Sequence, residues 1–137
     1  MKGVGVLSKE DVISYGATGG TGRASGWHCD VRKRMPYAMY DKMDFKEIIY
    51  TEGDSFARYM VRMDEIMESM NMIELLIDNI PEGEYKVKTK PIIKVPEGQY
   101  YQAVEASRGE FGVFLESHVS LLPNLFTTSY SVIQQTS

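Results

Sequence analysis

The stretch DSFARYMVRMDEIMESMNMIELLIDNI, residues 54–80, decides the fold. Its apolar side chains recur alternately three and four residues apart, a spacing that places them on one face of an α-helix. They are Phe56, Met60, Met63, Met67, Met70, Ile73, Ile77 and Ile80. Neither Gly nor Pro interrupts the stretch. The pattern predicts one helix over residues 54–80, roughly 40 Å long, on which the rest of the chain is built.

Both ends of this helix are marked in the sequence. Asp54 can accept hydrogen bonds from the free N–H groups of the first turn, and Thr51 offers a second start. Pro81 and Gly83 prevent continuation. In the C-terminal half, three further apolar side chains project away from the stripe: Met72, Leu75 and Leu76. A helix end that is apolar all round needs several neighbours.

Length and charge favour one domain. The chain has 137 residues, with 15 Lys and Arg against 19 Asp and Glu, and a pI near 5.2. This balance gives no reason to expect nonspecific nucleic-acid binding. The apolar runs are too short to span a bilayer, and the N-terminus lacks the charged-then-apolar pattern of a secretory signal. We therefore expect a soluble, intracellular chain.

The sulfur-containing residues limit which disulfide and metal sites this chain can form. Cys29 is the single cysteine, which excludes an internal disulfide and predicts that this chain alone ligates neither an iron–sulfur cluster nor a structural zinc ion. Most of the nine methionines lie between Met35 and Met72. Thioethers pack adaptably, so the methionines suit either an adaptable core, the favoured interpretation, or a surface that meets partners.

The N-terminal region predicts a short helix followed by a glycine-rich segment. Ser8 and Asp11 form a capping box, which predicts a helix over 9–15 with Gly16 as its stop. Residues 16–26, GATGGTGRASG, can be interpreted as a phosphate-binding loop or as a tight loop whose backbone packs closely on another segment. The glycine spacing matches neither the dinucleotide fingerprint nor the P-loop, so the packing interpretation is favoured.

Residues 23–45 contain the densest run of special side chains. Asp30 and the basic run 32–34 alternate in charge, which suits a local ion-pair network. The basic run is either a solvated face, the favoured interpretation, or a docking surface for an acidic partner. His28 and Cys29 raise the possibility of a metal site, but adjacent residues rarely ligate one ion and His118 is distant in sequence.

Charges on the long helix suggest local pairs. Asp54 and Arg58 stand four apart in the favourable order, and Glu65 is the expected partner of Arg62. Glu74 follows Met70 by one turn on the apolar stripe. A buried catalytic carboxylate is one interpretation of Glu74, and a salt-bridged or locally exposed side chain is the favoured one.

The C-terminal third predicts a β-hairpin. Residues 99–105 and 110–116 are β-rich and flank a short turn, and 85–96 suits an extended connector or edge strand. Glu105 and Glu110 around this turn are either an acid pair for catalysis or, as favoured, exposed charges beside a turn. Residues 119–137 lack the charges that normally keep an apolar tail soluble.

An ordered series of motifs resembles one protein family. It comprises RASG at 23–26, D-x-R-K at 30–33, Pro36-Tyr37, Tyr40, Gly53-Asp54, RYMVRMDE at 58–65, Pro81-Glu82-Gly83, Glu105 and RGEFGV at 108–113. Across residues 3–118 the chain resembles the D subunit of bacterial NADH-quinone oxidoreductase, respiratory complex I. The resemblance implies an α+β fragment of the fold of the nickel–iron hydrogenase large subunit, with a long central helix and a C-terminal hairpin.

The resemblance also implies a place in a larger enzyme. In that family the D and B subunits form the pocket where quinone is reduced, beside the last iron–sulfur cluster. The whole complex passes electrons from NADH through FMN and iron–sulfur clusters to quinone, coupled to ion translocation at the cytoplasmic face of the bacterial inner membrane. The expected partners are the B-type and C subunits. The quinone-binding His and Tyr of the family have no counterpart here, so no catalytic, cofactor-binding or metal residue is carried over, and the isolated chain is expected to be inactive.

The resemblance ends near His118. We expect a central part of a D-type subunit over residues 1–118 and an aberrant or disordered tail at 119–137, as a truncated or frameshifted gene would produce. The missing neighbours would leave apolar surface on the long helix uncovered. The alternatives are a relative of the hydrogenase type and a non-catalytic interaction module left by gene truncation.

Overall fold

The computed structural model describes residues 1–89 and 95–118, together with the backbone of Tyr130–Ser131. It has an α+β fold, as predicted. The helices are α1 (Lys9–Ser14), α2 (Gly19–Ala24), α3 (Val31–Arg34) and the long α4 (Ser55–Ile77), with a single 3-10 turn at Tyr40–Lys42. The strands β1 (Gly98–Ala106), β2 (Gly109–Ser117) and β3 (Tyr130–Ser131) form an antiparallel sheet with β2 in the middle.

The long helix α4 confirms the helix predicted from residues 54–80. Asp54 is its N-cap, and one carboxylate oxygen accepts from Ala57 N while the other accepts from Gly3 N, both at 2.7 Å. These two hydrogen bonds lower the pKa of Asp54, and Arg58 adds its charge. The helix ends at Ile77, short of the predicted 80, because Asn79 Nδ2 donates to Leu75 O and closes the last turn.

The N-terminal segment is tied to the start of α4. Arg58, predicted to pair with Asp54, donates its guanidinium N–H groups to Gly53 O at 2.7 Å and to Gly5 O at 2.9 Å. Leu7 N donates to Gly53 O at 3.0 Å. Residues before α1 therefore pack across the first turn of α4 through backbone hydrogen bonds.

The two sides of α4 have different surroundings. Its inner face, defined as Ala57, Val61, Glu65, Glu68 and Met72, points toward the rest of the chain. Ala57 and Val61 are buried and pack with Ala24 of α2 and with Tyr50. This small cluster is the apolar core of the described residues.

The outer face of α4 is the surface formed by Met63, Ile66, Met67, Met70, Ile73 and Ile77. Its side chains are 42–65% exposed, with Met63 and Ile77 at the two limits. The favoured interpretation of the methionines as an adaptable core is wrong for Met63, Met67 and Met70, because α2 and Tyr50 cover the side of α4 that carries Ala57 and Val61. The expected exposure of uncovered apolar surface is confirmed.

The N-terminal helix and the glycine-rich segment fold as short helices. Ser8 and Asp11 form the predicted capping box of α1, and Gly16 follows the helix with φ +64°. The predicted tight loop at 16–26 is wrong in part, since Gly19–Ala24 is α2. Its close packing is confirmed: a Cβ at Gly19, where φ is +69°, would lie 2.5 Å from Arg108 O of the hairpin turn.

The hairpin has the predicted strands and turn. Its register pairs Gln99 with Glu116 and Glu105 with Glu110. Ala103 is fully buried, whereas Val104 is exposed on the other side of β1. The predicted connector at 85–96 has no regular structure over 85–89, and 90–94 lie outside the described residues.

The predicted tail at 119–137 lies outside the described residues, except for Tyr130–Ser131. The backbone of that strand pairs antiparallel with Leu115 and Phe114. The division of the chain at residue 118 stays a prediction. Within the described residues, no helix combines the length and the apolar character needed to cross a bilayer.

Candidate functional site

The centre of the molecule is a buried guanidinium group. Arg23, in the last turn of α2, has a side chain that is only 5% exposed. Its Nε donates to Glu65 Oε1 of α4 at 2.6 Å, and its Nη1 donates to Glu105 Oε1 of β1 at 2.7 Å. One side chain therefore connects α2, the long helix and the hairpin.

Glu105 is held from several sides. Its Oε2 accepts from Val31 N at 3.1 Å, at the start of α3, and its own backbone N donates to Tyr37 OH at 3.1 Å. The side chain is 6% exposed. Both carboxylate oxygens thus have a donor, which is the arrangement that a buried charge requires.

A second ion pair stands beside the first. Asp30 caps α3 and accepts from Arg32 Nη2 at 2.6 Å and from Arg32 Nε at 2.9 Å. Asp30 N in turn donates to Glu47 Oε1 at 3.0 Å. The Arg32 guanidinium carbon lies 4.9 Å from the centre of the Phe45 ring. The arginine is therefore bound edge-on by a carboxylate and stacked on an aromatic face.

Together these side chains form the charge network, defined as Arg23, Arg32, Asp30, Glu65 and Glu105. Three carboxylates face two guanidinium groups, which leaves one negative charge without a partner of opposite sign inside the network. Every buried side-chain nitrogen or oxygen in the described part of the chain has a hydrogen-bond partner. The network holds these charges in fixed positions, and its excess negative charge favours the uptake of a proton.

The pKa shifts of Asp30 and Glu65 have opposite directions. Burial alone would raise the pKa of Asp30, but the hydrogen bonds and charge of Arg32 hold it below its ordinary value. Burial raises the pKa of Glu65, and the nearby Glu105 adds to this, against the opposing charges of Arg23 and Arg32. Glu65 therefore has a raised affinity for protons in the folded chain.

The small residues of RASG explain why a charge can lie at this position. Ala24 packs against α4, and Gly22 has no room for a Cβ, which would lie 2.8 Å from Ala17 O. These close approaches bring Arg23 within hydrogen-bond distance of Glu65. Ser25 completes the motif, since its hydroxyl donates to Leu7 O at 2.9 Å.

In the basic run 32–34, one side chain is covered and two are exposed. The predicted local ion-pair network is confirmed by Asp30 and Arg32. The solvated-face interpretation is wrong for Arg32, because Asp30 and Phe45 cover it. Lys33 and Arg34 are exposed, with Lys33 Nζ 3.9 Å from the centre of the Phe45 ring.

Two predictions about glutamates are wrong. Glu65 pairs with Arg23 rather than with Arg62, because α2 crosses α4 at that turn. Glu105 is not an exposed charge beside the turn, since Arg23 and the α3 backbone enclose it. Its register partner Glu110 is not fully exposed either, since its side chain is 14% exposed and accepts from Tyr101 OH at 2.6 Å. The exposed position predicted for Glu74 is confirmed.

The two candidate metal ligands, His28 and Cys29, have other partners. His28 Nδ1 lies 3.0 Å from Glu47 Oε2, and Cys29 is buried with its Sγ donating to Gly19 O at 3.7 Å. Burial raises the pKa of the Cys29 thiol to about 11, which disfavours the thiolate that ligates metals. Over residues 1–89 and 95–118 no three His, Cys, Asp or Glu side chains are grouped to hold a metal ion.

The pairs that Arg23 forms with Glu65 and Glu105 were not predicted from the sequence. Their members are separated by 42 positions, for Arg23 and Glu65, and by 82 positions, for Arg23 and Glu105. Glu105 lies on the same side of β1 as the fully buried Ala103, two residues earlier. This alternation was the one local signal that pointed Glu105 inward.

Comparison with known proteins gives a family match over most of the chain. The family model described as the 49 kDa subunit of respiratory-chain NADH dehydrogenase matches residues 1–94. The C/D subunit of the NADH-quinone oxidoreductase of Bacteroides fragilis is 79% identical over 123 residues, which are 90% of this chain and 23% of that protein. The D subunit of the Desulfotalea psychrophila enzyme is 51% identical over 118 residues, 85% of this chain and 32% of its own length.

A solved structure has the same fold. One chain of the membrane-bound sulfane sulfur reductase, an archaeal respiratory membrane complex, superposes with a TM-score of 0.77 at 39% identity. The match covers 85% of this chain and 33% of that chain. The chain thus spans a third or less of the length of these relatives.

Proposed function

Since the chain belongs to the family of the 49 kDa subunit of respiratory-chain NADH dehydrogenase, we propose that it serves as part of a D-type subunit in the peripheral arm of an NADH:quinone oxidoreductase. Its contribution would be structural: to hold a hairpin and a long helix in fixed relation beside the electron-transfer path. NADH, FMN and the iron–sulfur clusters would be bound by other subunits, and quinone by the intact D-type subunit. The proposed location is the cytoplasmic face of the bacterial inner membrane.

One observation carries this proposal: α4 buries charge and exposes apolar side chains. Met67, Met70 and Ile73 are each more than half exposed, whereas the Glu65 side chain of the same helix is 26% exposed and pairs with the enclosed Arg23. Apolar side chains on such a helix are not stabilised while they are in contact with water. It suits a chain whose outer face packs against other protein, and for a D-type subunit the proposed neighbours are the B-type iron–sulfur subunit and the C-type subunit.

The residues of this chain do not fit the cofactors of the complex. The buried Cys29 thiol, hydrogen-bonded to Gly19 O, is not available as an iron ligand. The glycine-rich segment packs closely against the hairpin turn, since a Cβ on Gly19 would lie 2.5 Å from Arg108 O. We therefore assign no electron-transfer step to the residues that the structure describes.

The similarity to a sulfane sulfur reductase supports a related alternative, a component of another membrane-bound respiratory complex. The 79% identity to a C/D subunit favours the NADH-quinone oxidoreductase. The remaining alternative is an interaction module that keeps the fold without electron transfer.

Co-expression tests the proposal. The tagged chain is produced with the B-type and C-type subunits of the same organism and purified, and the B-type subunit is followed by its iron–sulfur absorbance. We expect co-purification that Ile73→Asp reduces at least about tenfold, corresponding to about 1.4 kcal/mol. Val87→Asp, at an apolar site outside α4 that is 81% exposed against 56% for Ile73, is the control and should have no effect. A monomer that ignores both partners would contradict the proposal.

A further inference from the structure

The charge network opens to solvent at one side chain. Glu65 is 26% exposed, whereas Arg23 and Glu105 are 5% and 6% exposed. Glu65 lines a shallow depression on α4 together with Arg62, Ser69 and the outer-face residue Met70. Water in this depression can reach the carboxylate without any movement of the chain.

The hydrogen bonds leave Glu65 less firmly held than Glu105. Both carboxylates share the single guanidinium of Arg23. Glu105 has the backbone N–H of Val31 as an additional donor. Glu65 Oε1 accepts from Arg23 Nε, and Glu65 is the member of the pair with a side facing the depression.

We propose that Glu65 is a proton-binding site, at which the charge network takes up one proton from the depression on α4. The Glu65 carboxylate accepts a proton from a hydronium ion, which leaves as water, and becomes a neutral carboxylic acid. The network then holds two carboxylates against two guanidinium groups, so its excess charge is removed. Arg23 keeps its ion pair with Glu105, and the fold is retained.

Charged groups face Glu65 from every element packed around it. Arg23 faces it from α2, Arg32 from α3 and Glu105 from β1. On α4 itself, Arg62 borders the same depression. Burial works together with Glu105 to favour the protonated form and outweighs the guanidinium groups.

The proton site goes beyond the proposed function, because it belongs to this chain without any partner. Its use in a complex that translocates ions rests on the proposed function. A titration of the isolated chain therefore tests the site, and the co-purification described above tests the complex. If the titration fails, the co-purification still tests the complex, and if the co-purification fails, the titration still tests the proton site.

The experiment is a side-chain carboxyl titration by NMR on the full 137-residue chain labelled with carbon-13. We expect the Glu65 midpoint to lie at higher pH in the folded chain than in the same chain unfolded in urea. The Arg23 Nε–H resonance should shift with the same midpoint, because it donates to the titrating oxygen. A Glu65 midpoint equal to or below its unfolded value would overturn the proposal.

Two matched variants separate a specific site from general burial. Glu105→Gln removes the repelling charge and should move the Glu65 midpoint to lower pH. Glu110→Gln, at the register partner on the same hairpin, should leave it in place. Equal effects of the two variants would contradict the assignment.

If Glu105→Gln does not fold, Glu65→Gln supplies the test. This variant should fold and lose the pH-dependent shift of the Arg23 Nε–H resonance. A shift that persists would count against Glu65.

Discussion

The two faces of α4 reverse the usual distribution of side chains in a small domain. The inner face combines the small Ala57 and Val61 with acids that reach across to other elements, whereas the outer face carries most of the large apolar side chains. Glu65 and Glu68 of the inner face, and Asp64 next to it, each have a partner outside α4. The pairs are Asp64 with Tyr50 OH, Glu65 with Arg23 and Glu68 with Lys46 N.

This contrast separates two kinds of stabilisation. The described chain is held together on its inner side by directional contacts, whose members must all be present. The outer side contributes little to the fold of the chain itself, since burial of apolar area is what makes such side chains stabilising. Substitutions on the two sides should therefore have opposite consequences for folding and for association.

The largest effect is expected from the centre of the charge network. Arg23→Met leaves Glu65 and Glu105 without their shared partner and should lower the free energy of unfolding by about 3–5 kcal/mol. Arg62→Met, an exposed arginine on α4, is the control and should change it by less than about 0.5 kcal/mol. Urea unfolding followed by circular dichroism measures both. Similar losses in the two variants would show that the network is not the main tertiary contact.

A smaller effect is expected where α2 meets the hairpin. Gly3 and Gly19 both have φ +69°, but a Cβ meets nothing within 4 Å at Gly3 and the Arg108 backbone at Gly19. Alanine at either position should cost about 1–2 kcal/mol for the left-handed backbone. At Gly19 the overpacking should add about 1–3 kcal/mol, measured by thermal unfolding. Equal costs at the two positions would mean that the hairpin turn does not rest on α2.

The next effect concerns pH. Folding lowers the pKa of Asp30 below its ordinary value of 3.8. Ionised Asp30 therefore stabilises the folded chain at pH values above about 3.8, and this contribution is lost as the pH falls from about 3.8 toward the lower pKa of the folded chain. The difference in unfolding free energy between the wild type and Asp30→Asn should therefore shrink as the solution is acidified. Urea unfolding at a series of pH values measures it. If this difference stays constant as the pH falls, Asp30 does not contribute to the acid sensitivity of the fold.

Local signals in the sequence predicted much of the fold. The capping box at Ser8, the Asp54 cap of α4 and the turn between β1 and β2 each act over a few residues, and all three are present. The helix α2 was not predicted at all, because glycine-rich segments have low helix propensity and tertiary packing decides their conformation.

The outer face and the charge network could not be read from periodicity. A 3.6-residue period shows that the side chains from Met63 to Ile77 share a face, but it does not show whether that face meets this chain or another protein. The network joins residues from α2, α4 and β1, and no local pattern specifies which Arg meets which Glu. The family resemblance supplied the expectation of an uncovered helix.

The most direct test of the central claim compares two adjacent positions on α4. Met72 is 7% exposed on the inner face and Ile73 is 56% exposed on the outer face. Met72→Asp should lower the free energy of unfolding by several kcal/mol, roughly 3 or more, because it buries a charge without a partner. Ile73→Asp should change it by less than about 0.5 kcal/mol while reducing apolar-dye binding and self-association. Equal destabilisation at the two positions would contradict the assignment of an inner and an outer face.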